Sequence, residues 1–215
     1  MVEVAIRNLP LSGFHGGSSV ARLELAAPAE RISLRVAAGD VAALSAALGV
    51  DLPTKPKTSA SANGRTALWL GPDEWLVIAE GTGEVGSAMI GDAAKSGVPH
   101  SATDVSHRNT AILVSGPGAA AAINTGCPQD LSLAVFPVGA CSRTIFGQVA
   151  IVLLRPAAHA LPVEVWRSVS PYAFGLLAPG ARAAALSSKL DLALPRDALG
   201  LGGSLTLTHR IAVAR

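Results

Sequence analysis

The sequence predicts an α+β fold made of duplicated strand-helix-hairpin-helix-strand units. Three observations carry the prediction. Apolar and polar residues alternate with the period of a strand at Arg31 to Val36, and Thr110, Ile112 and Val114 alternate with Ala111 and Leu113 in a second strand. Each stretch is followed by a helix signal, and each unit then carries a hairpin built from two apolar runs.

In the first unit Ile32, Leu34 and Val36 alternate with Ser33 and Arg35, the pattern of a half-buried strand. Val41, Leu44 and Leu48 recur at helical spacing after it, with Asp40 placed to cap the helix by accepting backbone N–H groups and Gly49 to stop it. Residues 51–64 hold prolines, lysines and small polar residues without an apolar period, so they read as an exposed loop. Ala67 to Ile78 places two apolar runs around Gly71-Pro72-Asp73-Glu74, a four-residue hairpin turn.

Pairing Leu70 with Trp75 and Trp69 with Leu76 sends the two tryptophans to opposite faces, because side chains alternate along a strand. Both faces are then apolar, so the hairpin lies between a helix layer and a second cover, either helices of its own chain or a partner chain. Val85, Met89 and Ala93 predict a helix over residues 84–96 ended by Gly97, and residues 98–105 return as a strand.

The second unit repeats the theme. Thr110, Ile112 and Val114 alternate with Ala111 and Leu113, and a helix starts after Gly116-Pro117-Gly118. Cys141 to Phe146 and Gln148 to Arg155 form the hairpin, Val163, Val165 and Trp166 a strand, and Ser170-Pro171 a helix start with an N-cap serine. Expected boundaries are an N-terminal extension over 1–20, one α+β domain over 21–188 with repeats at about 31–105 and 106–188, and a C-terminal extension over 189–215. The alternating Leu205 to Ile211 in that tail reads equally as a last strand or as a disordered extension.

Charge narrows the function. Lys and Arg number 17 against 15 Asp and Glu, a net charge of +2, and only 15% of residues are charged while half are hydrophobic. Ordinary domains carry about 25% charged residues, so apolar surface is left for another protein to cover, although abundant alanine softens the inference. Without a Lys/Arg block, a groove that follows nucleic-acid phosphates is not expected. No leader pattern opens the chain and no run reaches the roughly 18 apolar residues of a membrane span, so a cytoplasmic protein is expected. Cys127 and Cys141 are too far apart for a CxxC pair and read as two reduced thiols.

The motifs for chemistry are weak. Gly116-Pro117-Gly118-Ala119-Ala120-Ala121 fits a loose dinucleotide loop, but Pro117 removes an N–H and no ribose-binding acid follows about 20 residues later. It reads better as a strand-to-helix turn. Histidines 15, 100, 107, 159 and 209 form no metal-ligand spacing, and neither a GxSxG elbow nor a GKS/GKT loop is present. Asp104, Ser106 and His107 lie too close along one strand to converge on a reacting atom, and Asp130 reads as a turn cap or, at most, a general base.

Asp104-Val-Ser-His107, Gly116-Pro-Gly-Ala119 and Gln129-Asp130-Leu131 resemble the folate-binding fold of the glycine-cleavage T protein. In that family an acid handles the folate nitrogen, and Asp130 falls at its position, a candidate cofactor-binding residue and vestigial folate site. The hairpin from Phe146 to Leu154 departs from the family, with no carboxylate pair to serve a pterin. The Lys-Gly-Cys segment of the related iron–sulfur maintenance proteins is missing as well.

A closer resemblance covers most of residues 20–186. Leu68-Trp-Leu-Gly-Pro-Asp-Glu-Trp-Leu76, Asp104-Val-Ser-His-Arg108, Gly126-Cys-Pro-Gln-Asp-Leu131, Phe136-Pro-Val-Gly139 and Trp166-Arg-Ser168 are similar to the gamma subunits of heterotetrameric sarcosine oxidase. The resemblance implies a non-catalytic subunit with a folate-binding-like fold, in a complex that demethylates sarcosine to glycine with release of hydrogen peroxide and a one-carbon unit. It implies alpha, beta and delta partners that carry FAD, FMN, NAD and zinc, with tetrahydrofolate as co-substrate. The competing expectations are a stand-alone folate-binding aminomethyltransferase-like protein using Asp130 and a homo-oligomeric structural protein.

Overall fold

The computed structural model describes residues 10–81 and 85–193, with the side chains of residues 85 and 188–193 excepted. Its strands are β1 (Gly16–Gly17), β2 (Arg22–Leu25), β3 (Ala29–Val36), β4 (Ser59–Ala62), β5 (Arg65–Gly71), β6 (Glu74–Glu80), β7 (His100–Asp104), β8 (Asn109–Ser115), β9 (Cys141–Phe146), β10 (Val149–Leu154) and β11 (Ala160–Trp166). The α-helices are α1 (Val41–Leu48), α2 (Val85–Lys95), α3 (Ala119–Asn124) and α4 (Ser170–Ala193). Among the described residues no helix is long and apolar enough to cross a membrane.

The strands form two antiparallel sheets, β4-β5-β6-β3-β7 and β1-β2-β8-β11-β10-β9. Ile32, Leu34, Val36, Trp75 and Val77 pack the first sheet onto Leu44, Leu48 and Met89 of α1 and α2. Ile112, Val114, Leu161 and Val163 pack the second onto Ile123, Leu177 and Ala181 of α3 and α4. Leu68, Leu76, Val105 and Cys141 join the inner faces, giving four layers with helices outside and the sheets face to face.

The units are duplicated as expected, with a longer meander. Each opens on a central strand (β3 or β8), passes through a helix (α1 or α3), runs a three-strand meander (β4-β5-β6 or β9-β10-β11) back beside that strand, and ends in a helix (α2 or α4). The other side of β3 is filled by β7, which follows α2, whereas the other side of β8 is filled by β2, which precedes the first unit. The two units are therefore interlocked along the chain.

Several local expectations are corrected. β5 and β6 pair Leu68 with Leu76 and Trp69 with Trp75, with a bulge before Gly71, so the tryptophans share the helix-facing side. Trp75 is fully buried and its Nε1–H donates to the Pro53 carbonyl at 2.8 Å. The second cover of this hairpin is the chain's own other sheet. Residues 59–62 form β4, because pairing with β5 and the Thr58–Ala140 bridge to the second sheet supply what the missing apolar period could not indicate. Asp40 makes no side-chain cap; a 3-10 turn, Ala38–Asp40, leads into α1, and Gly49 ends it at φ 65° as expected. Ser170 lies inside its helix, where its hydroxyl donates to the Arg167 carbonyl at 2.9 Å. The tail strand considered for residues 205–211 lies outside the described residues.

The polar side of β3 turns inward to the other sheet. Arg31, 3% exposed, donates from Nε and Nη2 to the two carboxylate oxygens of Glu164 on β11 at 2.7 and 2.9 Å, and from Nη1 to the Ala29 carbonyl at 2.8 Å. Glu164 is 4% exposed. Ser106 accepts the Arg31 backbone N–H at 2.8 Å and is buried with the pair. Burial pushes the Glu164 carboxyl up, and the Arg31 charge opposes that shift.

Removal of the guanidinium should expose this balance. Arg31→Met is expected to lower the unfolding free energy by about 3–5 kcal/mol in urea titrations, because it leaves a buried carboxylate unpaired. With the folded pKa of Glu164 then raised further, the loss should be greater at pH 7 than below the ordinary carboxylate pKa. The pair Arg31→Met/Glu164→Leu should recover most of it.

Asp92 on α2 gives the opposite pH sign. Hydrogen bonds from Lys95 and Arg65, the latter at 2.6 Å from β5, hold its carboxyl below the ordinary value. A depressed carboxyl contributes stability above its unfolded pKa that is lost as pH falls through the folded value. Asp92→Asn should therefore lower stability at neutral pH and flatten the acid limb of a thermal-midpoint profile.

Candidate functional site

The structure gives most of the motif residues structural work. Asp104, at the end of β7, accepts the Ser106 backbone N–H at 2.8 Å, and Ser106 in turn holds the backbone of Arg31. His107 is exposed on the turn that carries the chain from one sheet to the other. The expectation that all three lie along one strand is corrected: β7 ends at Asp104, and Ser106 and His107 fall on the turn that follows it.

At the Gly116-Pro117-Gly118 turn the close neighbour is the chain itself. Gly116 has φ 110°, and a Cβ there would lie 2.5 Å from the Val20 carbonyl oxygen; one on Gly118 would lie 2.7 Å from Val20 Cγ2. The Gly118 N–H already donates to Val20 at 2.8 Å. The backbone that a pyrophosphate would use is occupied by the strand leading into β2.

Asp130 is exposed, and its carboxylate accepts the Ser132 N–H at 2.8 Å in a turn. It is absent from the walls of the two inter-sheet clefts. Both cysteines are buried and free, and burial pushes the Cys141 thiol up to about 11, which keeps it protonated at neutral pH. Among the described residues no group of three or more His, Cys, Asp and Glu could hold a metal ion.

Two clefts open at the ends of the seam between the sheets. The larger, about 870 Å³, lies over Arg31 and Glu164, with Ile78 and Leu154 as apolar wall and Asn63 and Arg65 at the rim. Three of its polar side chains are engaged within the chain: Arg31 with Glu164, Asn63 with the Gly49 carbonyl at 2.8 Å, and Arg65 with the Leu48 carbonyl and Asp92.

The smaller cleft, about 270 Å³, gathers Leu70 and Glu74 of the first hairpin, Arg108 of the crossover, Arg143 of β9 and Trp166 of β11. Arg143 contacts Glu74 at 2.6 Å, and the Arg108 guanidinium lies 5.3 Å from the Trp166 ring centroid. Three of the sequence motifs thus meet at one place: the Leu68 to Leu76 hairpin, the Asp104 to Arg108 turn and the Trp166 to Ser168 segment. The sequence marked each separately and carried no signal that they were neighbours.

Sequence reading also missed Arg155. It is 2% exposed, donates to the carbonyls of Ala158 and Leu131, and stacks 5.7 Å from the Phe136 ring centroid, fastening the segment before β9 to the end of β10. A single arginine after an aliphatic run has no local signature of burial.

The family model "Sarcosine oxidase, gamma subunit family" matches residues 35–199. The sarcosine oxidase subunit gamma of Arthrobacter sp is 36% identical over 131 residues, 59% of this chain and 63% of that protein. The one from Corynebacterium sp. (strain P-1) is 34% identical over 118 residues, 54% of this chain and 57% of that protein. The chain thus spans about six-tenths of the length of these curated relatives.

Among solved structures, a chain of the heterotetrameric sarcosine oxidase from Corynebacterium sp. U-96, in complex with pyrrole 2-carboxylate, superposes with a TM-score of 0.75 at 25% identity, covering 83% of this chain and 96% of that one. The glycine cleavage system aminomethyltransferase T from Bartonella henselae gives 0.56 at 16% identity, covering 78% and 47%, a likeness of fold. The repeated α+β units, the folate-binding-type architecture and the match over residues 35–199 agree: this chain belongs to the sarcosine oxidase gamma subunit family.

Proposed function

We propose that the chain is the non-catalytic gamma subunit of a heterotetrameric sarcosine oxidase, with a structural role in assembling the complex. The observation that carries this reading is the superposition on nearly the whole length of a chain from such a complex. The motif residues support it, since Asp104, Ser106, Gly116 and Gly118 all serve the fold. So does the apolar surface: Leu133, Val135, Val138, Ile145 and Trp166 are each about half exposed or more.

In this reading alpha, beta and delta subunits are the partners, in the cytoplasm, and residues 21–188 are the unit that docks on them. FAD, FMN, NAD and zinc reside on those partners, and tetrahydrofolate is a co-substrate of the complex. The assembly converts sarcosine to glycine with hydrogen peroxide and a one-carbon unit. Asp130 is a relic of a folate-site position that now caps a turn. The likeness to aminomethyltransferase T extends to fold and does not favour a stand-alone folate enzyme.

Co-expression tests the proposal. The chain purified alone should be colourless and inactive on sarcosine, while the large subunits produced without it should lose assembly or activity and regain it on addition. Full assembly and activity without this chain would refute the role. In calorimetry, tetrahydrofolate should give no binding heat with the isolated chain. Asp130→Asn, which keeps an acceptor for the Ser132 N–H, should leave assembly unchanged; micromolar binding abolished by that substitution would instead support the folate reading.

A further inference from the structure

We propose that the smaller inter-sheet cleft is a docking mouth for an acidic segment of a larger subunit, one that offers a carboxylate to Arg108 and an apolar side chain to the exposed floor beside it. The proposal rests on the reading that the chain assembles into an oxidase complex, and it adds the surface and the chemistry of the contact.

The floor follows from strand alternation. On β9 the inward face runs Cys141, Arg143, Ile145, and on β10 it runs Leu154, Val152, Ala150, the register pairing Arg143 with Val152 and Ile145 with Ala150. Cys141, Leu154 and Val152 are covered by the first sheet in the inter-sheet core. Two residues further on the cover has ended: Ile145 is 52% exposed, Ala150 is exposed, and Trp166 on the same face of β11 is 51% exposed. Core-type surface thus emerges unpaired at this end of the seam.

The rim supplies the sign of the partner. Arg35 contacts Asp73 at 3.6 Å and Glu74 at 3.2 Å, and Arg143 shares Glu74. With Arg108 the mouth holds three arginines against two carboxylates, and among the described residues no carboxylate pairs with Arg108. Arg108 is already oriented, because its Nε donates to the buried Asn109 at 3.2 Å and it lies over Trp166. Its two terminal nitrogens are left for a two-pronged contact with a carboxylate, the geometry a guanidinium favours.

Other occupants fit less well. A second copy docking through the same patch about a two-fold axis would bring cationic rim against cationic rim. A free inorganic anion would engage Arg108 and leave Trp166 and Ile145 wet. An acidic segment with an apolar neighbour satisfies both, and exposed Trp and Arg at the centre of a patch are the residue types that dominate binding energy.

The test uses the full chain and the separately purified remainder of the complex, with affinity measured by titration. Arg108→Glu and Trp166→Ala should each weaken binding by about 30-fold or more, and Ile145→Asp likewise. Leu186→Asp, at a still more exposed apolar residue on α4, should bind as wild type, and circular dichroism should show all four folded. Arg108→Gln serves if the glutamate variant does not fold. A photo-crosslinker at Ile145 should capture a peptide of a larger subunit with Asp or Glu within a few residues of the link.

Unchanged affinity in the mouth variants, an equal loss with Leu186→Asp, or a crosslink to a basic peptide or to a second copy of this chain would overturn the docking proposal while leaving the assembly role intact. Failure of the wild-type chain to bind the remaining subunits would instead overturn both.

Discussion

The architecture depends on the bidentate contact between Arg31 and Glu164. Two sheets whose outer faces are covered by helices must also bury their inner faces, and here they meet around an ion pair at the larger cleft's end of the seam. A carboxylate buried this deeply is tolerable only with its countercharge and hydrogen bonds in place. The pair therefore favours one alignment of β3 over β11. Ser106 extends the constraint into the chain crossing between sheets, because the residue that receives the Arg31 backbone N–H belongs to the turn joining β7 to β8.

The seam has a second tie at its edge. The Thr58–Ala140 bridge, the Ser59 N–H to Gly139 at 2.9 Å and the Cys141 N–H to Lys57 at 3.0 Å link the start of β4 to the start of β9. Cys141 lies among these contacts, which accounts for its buried, protonated thiol. Interlocking by β2 adds a covalent element: the strand that completes the second sheet is joined directly to β3 of the first. Such a body is suited to presenting a fixed surface, since its two halves are held by charge, backbone pairing and chain connection.

The same organisation gives the residues that resemble catalytic or cofactor motifs work in the fold. Asp104 and Ser106 stand at the crossover between the sheets and bond to backbone there, and Gly116 and Gly118 pack closely against Val20 ahead of β2. Surface left over at the ends of the seam is then apolar with arginine at the rim, which is the chemistry of association. The family membership and the geometry point the same way.

What the sequence determined by itself was the set of local elements: strand alternation at Ile32 to Val36, helical spacing at Val41 to Leu48, the Gly49 stop and the two apolar hairpins all express short-range periodicity and backbone freedom. The α+β class and the family motifs were legible for the same reason, as were the thiols. Only tertiary structure decided the Trp69–Trp75 register, the strand status of residues 59–62, the inward turn of Arg31 and the exchange of β2 into the second sheet. The meeting of Glu74, Arg108, Arg143 and Trp166 belongs with these. Each depends on a partner far along the chain, and neither a hydrophobic period nor a turn signal encodes which distant strand will supply the missing hydrogen bond or countercharge.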